Sequence, residues 1–160
     1  QRQMCIRDRQ YIVEGNVMSK MSVIYWSQTG NTEAMARAVA EGAQAAGAEG
    51  KVLEVSQASG SDVQDCDLLA LGCPAMGAEV LEESEFEPFF ESIEGSLSGK
   101  KVALFGSYGW GDGQWMRDWW DRAGKDGAKL YGDEGLIINE TPDDAGLEQC
   151  RSFGGGFAGF

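Results

Sequence analysis

Leu68-Leu69-Ala70-Leu71-Gly72-Cys73, closed by Pro74, is an apolar run with no polar interruption. Its length suits a strand covered on both faces, as in the middle of a parallel sheet. Val102 to Phe105 repeats the pattern, Ser22 to Trp26 and Lys51 to Val55 are two further strands, and Leu136 to Ile138 ends a fifth. Helical patterns lie between them. Thr32 to Ala46 carries Ala36, Val39, Ala40 and Ala43 at helical spacing and stops at Gly47. Residues 82–94 place Phe86, Phe89, Phe90 and Ile93 on one stripe, with Pro88 in the first turn. Gln114 to Ala123 puts Trp115, Trp119 and Arg122 on one face, where at least two of Trp115, Trp119 and Trp120 read as packing residues. A last helix is expected over Ala145 to Phe157. Strand and helix alternate five times, which predicts an α/β doubly wound parallel sheet of five strands with helices on both faces. Such sheets bind ligands at the carboxyl ends of their strands, near the switch in strand order.

The 160 residues fit one domain. Residues 1–17 show no clear period and end in Glu14-Gly15-Asn16, so they are read as a non-native or disordered extension preceding a domain at 18–160. The formal charge is −13, from 13 basic and 26 acidic residues. Setting aside the extension, which holds Arg2, Arg7 and Arg9 against Asp8 and Glu14, leaves the rest more acidic still. This surface repels nucleic acid and anionic membranes and favours a partner with a basic patch, although acidity also serves solubility alone. No apolar run approaches the ~18 residues of a membrane span. No signal-peptide core opens the chain, so a cytoplasmic setting is expected. Histidine is absent, which argues against triad hydrolases and most mononuclear zinc enzymes. Cys5, Cys66, Cys73 and Cys150 have no metal-site spacing and read as reduced thiols.

Three unusual loops follow strands. Ser27-Gln28-Thr29-Gly30-Asn31-Thr32 joins the first strand to the first helix. Hydroxyls, an amide and unpaired N–H groups at a helix start suit a single phosphate, helped by the helix dipole. The plainer alternative is a Ser/Thr-rich cap. The loop has no Lys, so it is not a Walker loop, and it lacks the three-glycine dinucleotide pattern. Pro74-Ala75-Met76-Gly77-Ala78-Glu79 follows the central strand, and Ser107-Tyr108-Gly109-Trp110-Gly111-Asp112-Gly113 the next. Met76 and Trp110 can face one another across a slot for a flat ring, with glycines letting backbone approach its edge. Each could instead be filling or packing. Tyr108 is a second ring contact or a surface aromatic.

Together the segments Trp26 to Thr32, Gly72 to Gly77 and Phe105 to Gly111 resemble the flavin-binding loops of short-chain flavodoxins of the clostridial type. The likeness covers roughly Met21 to Cys150 and implies a flavodoxin-like sheet of order 2-1-3-4-5. It implies non-covalent FMN, with phosphate on Ser27, Thr29, Asn31 and Thr32 and with Ser107 assisting. Gln28 and Gly30 complete that loop, and Pro74, Ala75 and Gly77 the second. Met76 and Trp110 would enclose the ring, backbone at Gly109, Trp110 and Gly111 would reach its edge, and Glu79 would meet its N3–H. The resemblance further implies a peptide at Met76-Gly77 that turns to offer a carbonyl to the ring's N5. It implies a low-potential one-electron carrier, not an enzyme, which acts as a monomer among redox proteins with basic patches, including ferredoxin- or flavodoxin-dependent oxidoreductases. Trp110, Glu79, Glu82 and Asp112 are the expected docking contacts. The alternative is an FMN-dependent NAD(P)H:quinone-type reductase on the same fold. A receiver domain is disfavoured, because Ser27-Gln28 stands where an acidic pair is needed.

One departure concerns the last helix. Gly154-Gly155-Gly156 replaces good helix formers, and each interior glycine costs about 1 kcal/mol against alanine. A frayed final turn is expected, together with a gain in stability from alanine at 154–156.

Overall fold

The apolar runs pair as parallel strands, and the chain returns between them through helices. This computed structural model describes residues 19–160. In chain order the elements are β1 (Lys20–Tyr25), α1 (Asn31–Ala45), β2 (Glu49–Glu54), α2 (Gly60–Gln64), β3 (Leu68–Gly72), α3 (Phe86–Ile93), β4 (Lys101–Tyr108), α4 (Gln114–Lys125), β5 (Lys129–Leu130), β6 (Leu136–Asn139) and α5 (Asp144–Ala158). The reading of residues 1–17 as an extension, and Cys5, lie outside the described residues.

The sheet order is β2-β1-β3-β4, with β5 and β6 both paired to β4, and every one of these pairings is parallel. This is the expected 2-1-3-4-5 arrangement with one difference. The fifth strand comes as two pieces, separated by residues 131–135. Gly132 sits there at φ +83, and a β-carbon on Gly135 would run into the Met116 side chain. The short α2 has no counterpart in the sequence reading. It carries a single buried apolar residue, Val63, too little for a period, and is nucleated by a capping box between Ser59 and Asp62.

β3 shows why an unbroken apolar run marks a central strand. Leu69 and Leu71 join α3 and α4 on one face through Phe86, Phe90, Trp115 and Trp119. Leu68 and Ala70 join α1 and α5 on the other through Met35, Val39 and Phe157. Adjacent residues alternate faces, so a strand buried on both sides must be apolar throughout. The expected tryptophan packing holds: Trp119 takes Phe86 and Phe90 edge-on at 5.4 and 6.0 Å.

The expectation for α5 is corrected. The helix is continuous to Ala158, and its glycines are contact residues. A β-carbon on Gly154 would strike the Val39 carbonyl, and one on Gly42 would strike the Arg151 carbonyl. α1 and α5 therefore meet backbone to backbone. Gly156 faces the hydroxyl of Tyr131, whose ring packs on Phe153, Phe157 and Phe160. The helix-propensity cost of glycine is offset by packing that alanine would prevent.

Across the sheet, Arg122 of α4 ties down α3. Its guanidinium donates to Glu87 at 2.6 and 2.8 Å and to Glu94 at 2.8 and 3.0 Å, and it lies 4.8 Å from the Phe90 ring centroid. Asp126 ends α4 beside this cluster, with a buried carboxylate oxygen that has no hydrogen-bond partner. Burial first, and then the neighbouring Glu94, push its carboxyl up to about 6.

Two outcomes are expected. Gly154→Ala should lower stability by about 2 kcal/mol in urea unfolding, as overpacking does, whereas Gly155→Ala, whose β-carbon finds its nearest atom at 3.4 Å, should be close to neutral. As pH rises from about 4 to 6 the unfolded chain releases the Asp126 proton before the folded one does, so the folded state loses stability across that window. Asp126→Asn should therefore stabilise at pH 7 by about 1 kcal/mol, allowing for solvent screening, and leave pH 4 unchanged. A variant equally stabilising at both pH values would count against this assignment.

Candidate functional site

The strand order reverses between β1 and β3, so the connections that leave them pass to opposite faces and leave a crevice at their carboxyl ends. A cleft of about 410 Å³ opens there. Ser27, Gln28, Thr29, Asn31 and Thr32 line it from the loop after β1, Pro74, Ala75 and Met76 from the loop after β3, and Ser107, Tyr108 and Gly109 from the end of β4. Glu140 and Thr141, after β6, close the fourth side. The sequence reading missed these last two. A glutamate beside Thr-Pro is an ordinary loop, and only its backbone departs from the ordinary, with Glu140 at φ +58 and its N–H donating to the Tyr108 carbonyl at 2.7 Å.

In the first loop the chain turns at Gly30, φ +95, and enters α1 with no side-chain cap on its first N–H groups. The Ser27 hydroxyl accepts instead from the Gly30 N–H at 3.1 Å and holds the turn. The leading N–H groups of α1 thus face the cleft without a protein acceptor from a capping side chain, at the positive end of a helix of 15 residues. Thr32, 1 % exposed, shares a hydrogen bond of 2.9 Å with Ser107 and joins the first loop to the third. An uncapped helix start ringed by hydroxyls suits a phosphate dianion.

The second loop is a narrow turn. Met76 and Val80 exchange both backbone hydrogen bonds, at 2.9 and 3.0 Å, with Gly77 at φ +50 and Glu79 at φ +56 between them. This modifies the expected Met76-Gly77 switch. The Met76 carbonyl is held by Val80, whereas the Gly77 carbonyl and Ala78 N–H make no backbone–backbone hydrogen bond among the described residues. The next peptide, Gly77–Ala78, is the one whose carbonyl and N–H the loop leaves without a backbone partner.

α4 is pinned beneath this turn. Trp115 donates from its indole to the Cys73 carbonyl at 3.1 Å, and Glu79 accepts from the N–H groups of Gly113 and Gln114 at 3.3 and 3.1 Å. Of the expected ring contacts, Met76 lines the cleft, and Tyr108, left open between ring contact and surface, forms part of its wall against Trp115. Trp110 stands outside the lining at 66 % exposure. Gly30, Gly77, Glu79 and Gly111 are likewise not among the lining residues. A β-carbon on Gly111 would meet the Glu79 carboxylate at 2.5 Å, so that carboxylate sits against the backbone that carries Trp110.

The expected acidic docking contacts differ in what they leave free: Glu79 and Glu82 accept from backbone N–H groups, whereas Asp112 keeps its side chain 78 % exposed. Glu79 is bound to α4, Asp112 pairs with Arg117 at 3.0 Å, and Glu82 is 6 % exposed. Burial acts to raise the Glu82 carboxyl, but hydrogen bonds from Ser84, Glu85 and Phe86 outweigh it and hold the group below the usual range. Burial pushes the Cys73 thiol far up and the Cys150 thiol to about 12, so neither supplies a thiolate. Among the described residues no group of three or more His, Cys, Asp or Glu is disposed to hold a metal ion. No helix among them is long and apolar enough to cross a membrane.

An uncapped helix start ringed by hydroxyls and an adjoining slot walled by Met76 and Tyr108 fit a phosphorylated flat ring such as FMN. The known proteins agree. The sequence model of the Flavodoxin family matches residues 23–154. A flavodoxin of Clostridium beijerinckii is 50% identical over 134 residues, covering 84% of this chain and 96% of the relative. A flavodoxin of Megasphaera elsdenii is 46% identical over 134 residues, covering 84% and 95%. The solution structure of two-electron reduced Megasphaera elsdenii flavodoxin superposes with a TM-score of 0.80 at 45% identity, over 88% of this chain and 99% of that one. The chain belongs to the flavodoxin family, the short FMN-binding proteins that carry electrons between redox proteins and are not themselves enzymes.

Proposed function

We propose that the uncapped start of α1, with Ser27, Gln28, Thr29, Asn31, Thr32 and Ser107, holds the FMN phosphate, that Met76, Tyr108 and Gly109 hold the ring, and that Trp110, exposed and next in the chain to Gly109, covers it from the outer side. The observation that carries this reading is the convergence of free helix N–H groups and hydroxyls on one end of the cleft. Bound FMN supplies chemistry in one- and two-electron steps. The chain's own part is to bind, orient and shield. Gly77 lets the Gly77–Ala78 peptide present either its carbonyl or its N–H toward the ring, so the protein answers a change of protonation at a ring nitrogen with a change of hydrogen bond, worth about 1 kcal/mol. Carboxylates around the cleft and the scarcity of cations would disfavour a further negative charge on bound FMN and so would hold its second couple at low potential.

Partners are redox proteins with a basic docking patch. Every lysine of the chain lies away from the cleft. Lys20, Lys100, Lys101 and Lys129 stand at or beside the amino ends of strands, Lys125 at the end of α4, and Lys51 in β2, paired with Asp62. The cleft end keeps exposed Glu83, Asp112 and Glu140 and the exposed Trp110. A charge of −13 supports a monomer in solution. The free, buried Cys66, Cys73 and Cys150 support a reducing, cytoplasmic setting. The short loops offer little wall for a second substrate, so a quinone-type reductase is not favoured.

Apoprotein titrated with FMN should quench flavin fluorescence at one equivalent. In stepwise reduction, Gly77→Ala should narrow the spread between the two one-electron potentials, because φ +50 is costly for alanine by about 1 kcal/mol although its β-carbon meets no atom within 4 Å. An unchanged spread would remove the turn from the mechanism. Electron transfer to a basic partner enzyme should slow several-fold between about 50 and 300 mM salt, and a rate indifferent to salt would refute the docking polarity.

A further inference from the structure

Glu82 is the most deeply buried acid among the described residues, and no arginine or lysine pairs with it there. Oε1 accepts from the N–H groups of Glu85 and Phe86 at 2.7 and 2.8 Å. Oε2 accepts from the Ser84 N–H at 2.8 Å and from the Ser84 hydroxyl. The Glu82 carbonyl accepts from the Glu87 N–H at 2.8 Å, and its own N–H donates to the Cys73 sulfur at 3.3 Å. The side chain therefore closes the amino end of α3, and the backbone clasps the end of β3. Between these two fixed points runs the whole second loop, 74–81, with the Met76–Val80 rung inside it.

A switching peptide needs a frame that does not give. If the loop could relax as a whole when one peptide turns, the energy difference between the two orientations would be spread over many residues and reduced. A frame clasped at Cys73 and Glu82 and tied again at Met76 and Val80 confines the change to residues 77–79.

We propose that Glu82 is a positioning residue for the second loop: by fixing where the chain leaves that loop, its carboxylate sets the relative energy of the two orientations of the Gly77–Ala78 peptide, and hence the spread of the two one-electron potentials, without touching the cofactor. This rests on the site reading given above. Gln at 82 keeps the shape but leaves one oxygen to serve four donors. Exposed Glu83 provides the control, because Glu83→Gln removes the same charge one residue away and no cap.

The test compares wild type, Glu82→Gln, Glu83→Gln and Gly77→Ala by fluorescence titration of the apoprotein with FMN and by potentiometric reduction of the FMN-loaded protein. Glu82→Gln should weaken FMN binding about tenfold and narrow the spread by the equivalent of a tenfold change in equilibrium constant, about 59 mV for one electron. Glu83→Gln should move either value by less than a third of that. Equal effects of the two glutamine variants would assign the result to charge and overturn the proposal. So would an unmoved spread in Glu82→Gln alongside a narrowed one in Gly77→Ala, with the site reading intact. No response in Gly77→Ala would instead remove the switch itself, and the proposal with it. If Glu82→Gln fails to fold, Ser84→Ala removes one donor only and should narrow the spread by a smaller amount in the same direction; an unmoved spread there overturns the proposal.

Discussion

The first N–H groups of α1 have no side chain of their own to satisfy them, and the functional end of the molecule is organised around that deficit. A helix start left open is tolerable only beside water or an anion. Gly30 turns the chain so that these donors face the crevice, Ser27 is occupied in holding the turn, and Thr32 is committed to Ser107 across the gap. Because β1 lies between β2 and β3 and β3 between β1 and β4, the loops carrying Met76 and Tyr108 arrive beside the same opening. The proposed ring slot thus follows from strand order, and the proposed phosphate cradle from an uncapped helix.

Acidic residues near the cleft divide into two populations that composition cannot separate. Glu79, Glu82 and Glu85 are spaced three apart and each serves the frame: the first holds the start of α4, the second closes α3, and the third accepts from the Trp26 indole at 3.0 Å. Glu83 and Glu140 remain at the surface. Glu83, Glu140 and the exposed Glu85 can meet a partner directly, while Glu79 and Glu82 brace the second loop. A charge count reads both as one acidic surface.

This division marks how far the sequence is legible. Unbroken apolar runs at Leu68 to Cys73 and Val102 to Phe105 identify buried parallel strands because both faces need the same chemistry. The three loops were readable because hydroxyls, glycines and large polarisable side chains are an unusual mixture just after a strand. Glu140 and Thr141 were not readable, since their place in the wall comes from the end of β6 lying beside β4, a tertiary fact. The glycines of α5 misled for the same reason. Helix propensity counts what a residue does to its own helix, and at Gly154 the deciding atom belongs to Val39, far away in the chain. The Gly77–Ala78 peptide, too, could be told from its neighbour only once the Met76 carbonyl was seen to be taken.

The near approach of α1 and α5 has a bearing on assembly. The uncapped helix α1 is seated by α5, through a contact with no side chain to act as a spacer. On a ribosome the crevice could be outlined early, yet its anchoring helix would stay loosely seated until the final segment emerged and docked. A chain trimmed of α5 would then be expected to loosen its hold on α1 before losing its sheet.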